Sequence, residues 1–259
     1  MVALPTDPLY SAKLRIERAG ELLDQLVADL GQFFKQTSVR YIAELDADKA
    51  YEIHKLVVSD RFPIKWRVLA TEVVEHLRAA LDHATFATFF LSTGRLDTNY
   101  AAFPFGRSAS NLDNSVKGRS KDCPVEIQAL LRSFNACEGG NDLLYTLNEL
   151  ANASKHGLIT FIGGAIEGGE LTIKNLSGGV DFDHPVTWDG EKNEIAYARV
   201  KAGTKFEHHG KLRVYPIIPG TEHLPGVGAT GVLDKIAAEV ARVVDEIENE
   251  CRRIGILSE

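Results

Sequence analysis

The chain has 259 residues, 44% hydrophobic and 25% charged, with a formal net charge of −7. An acidic chain is a poor non-specific ligand for nucleic acid, because phosphate affinity comes mainly from counterion release by Lys and Arg; anionic membrane surfaces are disfavoured on the same ground. Cys123, Cys137 and Cys251 are far apart with no CxxC spacing, which argues against a disulfide framework or thiolate zinc site, and with no membrane-length apolar run and no signal-peptide pattern the expected location is the cytoplasm.

In residues 8–35, Leu9, Leu14, Ile16, Leu22, Leu23, Leu26, Leu30 and Phe33 recur at helical spacing among charges. They predict an amphipathic helix, with Pro5 and Pro8 near its start. The runs SVRYIAELDA and KAYEIHKLVVSD alternate and are β-branched, with DADK between them. A β-hairpin near 38–58 is expected. A long second helix is predicted over about 63–92, with Pro63 in its first turn and Gly94 just past its end. Residues 94–122 read as a polar loop whose apolar anchor is AAFPF. Two shorter helices follow, in PVEIQALLRSF and NDLLYTLNELANASKH, and Asn141 is the expected N-cap of the second. From Gly157 the texture changes: GLITFIGG, ELTIKNL, EIAYARV and KLRVYPII are short β-rich runs separated by EGG, SGG and WDGEKN. They predict a β-rich part over 157–220. An amphipathic helix over 230–255 closes the chain and is expected to pack back on the others. The order implies an α+β fold: a helical bundle with a long central helix plus a small antiparallel β-sheet lobe, folding as one unit.

The chemistry concentrates in two helices. At about 100° per residue, Trp66, Leu69, Val73, Leu77, Ala80, Ala84, Ala87 and Leu91 form the core stripe of the long helix. Arg78 and Asp82 lie on its back half, four residues apart, as an ion pair requires. Phe86, Phe89 and Phe90 share that half, so another element is expected to cover it. His76 and His83 occupy a flank. In LLYTLNELANASKHG, Tyr145, Glu149, Asn152 and His156 fall at i, i+4, i+7 and i+11 opposite the apolar face, flanked by Asn148 and Lys155. Two Asn and a Ser inside a helix are not chosen by propensity. Gly157 suits a C-cap, and Lys155 and His156 suit the negative end of the helix dipole. The same residues also admit a purely structural reading, as an i,i+4 ion pair and a well-formed helix end.

HLRAALDH, AAFPF and LNELANASKH together resemble a widespread family of uncharacterised bacterial proteins with LRxxLDH and NxxKH helix motifs. The resemblance runs from about residue 60 onward and marks Arg78, Asp82, His83, Asn152, Lys155 and His156; Gly157 stands where the family pattern has Arg. Arg78 and His83 also fit the R-x4-H motif of HEPN domains, helical bundles that include metal-independent ribonucleases. That resemblance implies His83 as acid/base and Arg78 as stabiliser of a charged phosphorane. On a straight helix, however, the two lie about 140° apart, so convergence needs a bend, a long reach or a second subunit in a homodimer. No metal site, cofactor, nucleophile elbow or phosphate loop is implied; GVGATG reads as a loop.

Two functions follow as expectations. In one, Arg78, His83 and His156 act catalytically on a phosphodiester or small anionic ligand, RNA in the sharpest version. Asp82, Tyr145, Asn148, Asn152 and Lys155 then bind the substrate. In the other, the cluster is a hydrogen-bonded network in a non-enzymatic binding or regulatory module. Both require residues 78–83 to meet residues 145–156.

Overall fold

The computed structural model describes residues 7–96, 101–163, 172–174, 180–181, 186–204, 207–209, 214–226 and 228–258. Pro5, the EGG and SGG spacers, Val227 of GVGATG and parts of GLITFIGG, ELTIKNL and KLRVYPII lie outside the described residues. The fold is α+β. The long helices α1 (Tyr10–Gln36), α2 (Ile64–Thr93) and α6 (Gly228–Arg253) pack on one another, and α5 (Asp142–Ser154) lies on both α2 and α6. Two short helices, α3 (Ala109–Arg119) and α4 (Val125–Ser133), pack together, and α4 leans on α6. No helix among the described residues is long and apolar enough to cross a membrane.

The predicted stripe of α2 is the centre of the core. Trp66, Val73, Leu77, Ala80 and Ala84 are fully buried against Leu22 and Leu26 of α1, Leu144 and Leu147 of α5, and Ile236, Val240 and Ile247 of α6. The helix ends as its sequence predicts. Gly94 takes a left-handed φ of 67° and returns its N–H to the Phe90 carbonyl, a conformation open to glycine at no steric cost. Asn141 caps α5, its Oδ1 accepting from the Leu144 N–H at 3.1 Å while its Nδ2 donates to Glu239 of α6 at 2.6 Å.

Three expectations need correction. Residues 94–122 are not all loop, because α3 forms within them. Ser108 accepts the Asn111 N–H at its start, and Leu112 and Val116 bury one narrow face; two large apolar residues are too few to read as a period. GLITFIGG is not a strand along its length. Residues 158–160 are held on α2, where Arg67 donates to the Ile159 carbonyl at 3.1 Å and the Thr71 hydroxyl accepts the Ile159 N–H at 3.0 Å. Among the described residues of this run only Ile162–Gly163 is strand. Gly157 does not end α5 with a left-handed residue; the cap is Lys155 in right-handed helical geometry.

The sheet draws on both sides of the helical region. The hairpin β1 (Val39–Leu45) and β2 (Tyr51–Val58) forms as predicted. β2 then pairs antiparallel with β7 (Glu194–Lys201), whose far edge receives β5 (Val180–Asp181) and β6 (Thr187–Asp189). Two small antiparallel pairs stand apart: β3 (Ile162–Gly163) with β9 (Pro216–Ile217), and β4 (Thr172–Lys174) with β8 (Glu207–His209). Leu56, Val58, Ile195 and Ala198 form a second core, joined to the bundle by aromatic rings. Phe62 stacks on Trp188 at 5.5 Å and Phe33 meets Trp66 edge-on at 4.9 Å, contacts worth about 0.5–1.5 kcal/mol each beyond their buried area.

Asn141→Ala removes a cap and an interhelical hydrogen bond at once. Chemical denaturation is expected to show a loss of about 1–2 kcal/mol, with Asn141→Ser, which restores only the cap, recovering part of it.

Candidate functional site

The two motif helices do meet, over part of their polar residues. Arg78 and Asp82 of α2 line one groove with Asn152 of α5 and Lys155 at its cap, together with Glu75, Ala79, Ala151 and Ser154; its volume is about 240 Å³. The remaining candidates go elsewhere. His83 faces α1. His156 lies exposed beyond the end of α5, beside Leu158, Ile159, Ile218 and Pro219. Tyr145 and Glu149 line a different surface with Glu138, Asp142 and His223; burial and the neighbouring Glu149 and Glu138 raise the Tyr145 pKa. Asn148 is half-buried and outside the groove. The geometry explains the division. His83 is about 140° round the helix from Arg78. α5 stops at Ser154, so the helical period does not carry to His156.

Inside the groove the polar groups mostly satisfy one another. Arg78 donates to Asp82 Oδ1 at 2.6 Å, and the same oxygen accepts the Phe103 backbone N–H at 2.9 Å. The Arg78 guanidinium lies over the Phe105 ring, 4.2 Å from its centroid. Phe103 is fully buried and Phe105 packs on it at 5.0 Å. The AAFPF segment therefore covers the Arg78–Asp82 part of the back half of α2, whereas Phe86 and Phe90, expected to be covered with it, line an open pocket. Arg78 is 19% and Asp82 34% exposed at the side chain. Burial lowers the Arg78 pKa, opposed by the Asp82 carboxylate. Lys155 donates to Asn152 at 2.9 Å, and the Ser154 hydroxyl donates to the Ala151 carbonyl at 3.0 Å.

A second cluster joins His83, which the sequence marked, to Ser11, which it did not. The Ser11 hydroxyl and His83 Nδ1 are 2.7 Å apart across α1 and α2. One helical step along, Arg15 donates to His76 Nδ1 at 3.2 Å, a bond that requires the neutral imidazole. Beside the Ser11–His83 pair opens a pocket of about 370 Å³ walled by Pro8, Phe86, Ala87, Phe90 and Leu96. Burial lowers the His83 pKa and Arg15 lowers it further; the same two causes, with Arg18, act on His76. Ser11 could not be singled out, because in α1 it is one polar residue among many on the solvent side of an amphipathic pattern.

No protein-family model, curated protein or solved structure matches the chain. The likeness to the bacterial family and to HEPN domains rests on the quoted motifs alone.

Two tests follow from this geometry. Asp82→Asn strands a half-buried guanidinium and is expected to cost about 1–2 kcal/mol in denaturant unfolding; Arg78→Met, which keeps the packing on Phe105 and leaves no cation behind, is expected to cost less. For the histidines, folded pKa values below the unfolded 6.5 mean that the unfolded chain binds more protons in mild acid. Their contribution is complete above the unfolded pKa and is lost as pH falls through the folded values. The melting temperature should therefore drop between about pH 7.5 and about pH 5.5, and a His76→Gln/His83→Gln double variant should show a flatter profile over that window.

Proposed function

We propose that the protein is a non-enzymatic binding module, and that its ligand is a compact aromatic molecule with one hydrogen-bonding group, seated beside Ser11 and His83. The pocket carries this reading. Its walls are almost wholly apolar, two of them phenyl rings, and its polar contacts are gathered at the one Ser–His pair. Small-molecule sites have this character: mostly apolar, a few hundred Å³, with few convergent polar groups. A histidine with a lowered pKa is neutral near pH 7. With Nδ1 engaged by Ser11, its Nε2 has no hydrogen-bond partner among the described residues and is free to meet the ligand's polar group. In this reading the Arg78–Asp82 cluster is a structural network that holds AAFPF against α2.

Action on a small anion or phosphodiester has one observation in its favour: Arg78 and Lys155 line the same groove. Against it, His83 and His156 lie on other surfaces, and the groove's remaining charged groups are the carboxylates Glu75 and Asp82. A ribonuclease of the HEPN kind would have to take its histidine from a second subunit.

Thermal-shift titration with phenol, benzamide and indole tests the proposal. A saturable rise in melting temperature is expected for at least one probe, equivalent to about 1.4 kcal/mol at ten times its dissociation constant, and absent in His83→Leu. No saturable rise, or a rise that His83→Leu leaves intact, overturns it. Labelled RNA incubated with the protein in EDTA should stay whole; cleavage that His83→Ala abolishes would establish the other reading.

A further inference from the structure

We propose that the free edge of β1 is a dimerisation surface, on which a second copy of this chain adds its own β1 antiparallel about a two-fold axis through Ile42. Among the described residues, β1 is paired on one side only, with β2. The register is uninterrupted, and Asp46 N–H bonds the Tyr51 carbonyl at one end while Ser59 N–H bonds the Ser38 carbonyl at the other. Both are even-numbered positions of the first strand, so even residues turn their backbone groups toward β2. Antiparallel pairing alternates. The N–H and C=O groups of Val39, Tyr41, Ala43 and Leu45 therefore point outward.

A seven-residue edge without proline or lysine is one that chains usually cover or blunt. Among the described residues no backbone group bonds its outer side, and its only charges are Arg40 and Glu44. Leu45, on the same face as the sheet core, is 53% exposed.

The sequence VRYIAEL complements itself when reversed. With Ile42 on the axis, outward-facing Tyr41 bonds outward-facing Ala43 of the second copy, and Val39 bonds Leu45. The backbone parity thus agrees with the register. On the other face the same register sets Arg40 opposite Glu44 twice, in the close, non-hydrogen-bonded type of pair where cross-strand side chains interact best. The charges call for this. Lys55, 15% exposed, is shared by Glu44 at 2.6 Å and Glu194 at 3.0 Å, one ammonium between two carboxylates. Arg40 makes no ion pair among the described residues. In the dimer, Arg40 of the second copy completes the network.

Sedimentation velocity of the full chain up to about 100 µM is the test. The wild type should sediment as a dimer. Ala43→Pro removes an outward N–H without touching the β2 ladder, and Arg40→Glu sets carboxylate against carboxylate twice. Each should weaken association about tenfold or more, with an unchanged circular dichroism spectrum. Glu44→Arg alone should also dissociate, yet mixed with Arg40→Glu it should form a heterodimer, because every cross-strand pair is then complementary. A monomeric wild type, a dimer that Ala43→Pro and Arg40→Glu leave intact, or two variants that do not recombine on mixing would each overturn the proposal.

Discussion

One carboxylate oxygen organises the polar side of this bundle. Asp82 Oδ1 accepts from the Arg78 side chain and from the Phe103 backbone at the same time. A loop laid across the back of a central helix must satisfy its backbone groups or lose more than its packing gains. Asp82 satisfies one such N–H, and Arg78 donates to the same carboxylate oxygen while its own planar face rests on Phe105. Phe103 can then enter the core shared with Ile127, Leu131 and Phe134. A residue pair that looks catalytic by type is thus part of the reason the apolar loop sits where it does.

The same helix separates two chemistries by angle. Toward α5 it presents Arg78 and Asp82; toward α1, His76 and His83, each joined through Nδ1 to a polar residue of α1. The histidine side opens beside phenyl rings, whereas the arginine side opens beside Asn152 and Lys155. Apolar walls with one neutral imidazole suit an uncharged aromatic guest better than a phosphate. That contrast, more than any motif, separates the binding reading from the hydrolytic one.

Much of the architecture was legible in the sequence. Pro63 and Gly94 bracket α2 within a residue of its observed ends, and the alternation around DADK gives the hairpin. Helical periodicity also brought Arg78 and Asp82 to Asn152 and Lys155. It failed where its premise failed: His156 lies past the end of its helix, and α3 buries only Leu112 and Val116. Strands of two or three residues, such as Val180–Asp181 and Thr187–Asp189, carry no readable period. Ile159 is buried because α2 receives its backbone through Arg67 and Thr71, a tertiary demand that local pattern cannot express. The Ser11–His83 pair joins residues 72 positions apart, and neither residue's own helix announces the other.

Amide hydrogen exchange at Phe103 reads the organising interaction directly. If Asp82 holds that N–H, the Phe103 amide exchanges slowly, with protection comparable to amides in the middle of α2, although it belongs to a loop. Exchange at the rate of an unprotected loop amide would mean that the carboxylate does not hold the segment, and the structural role assigned to the Arg78–Asp82 pair would fall with it.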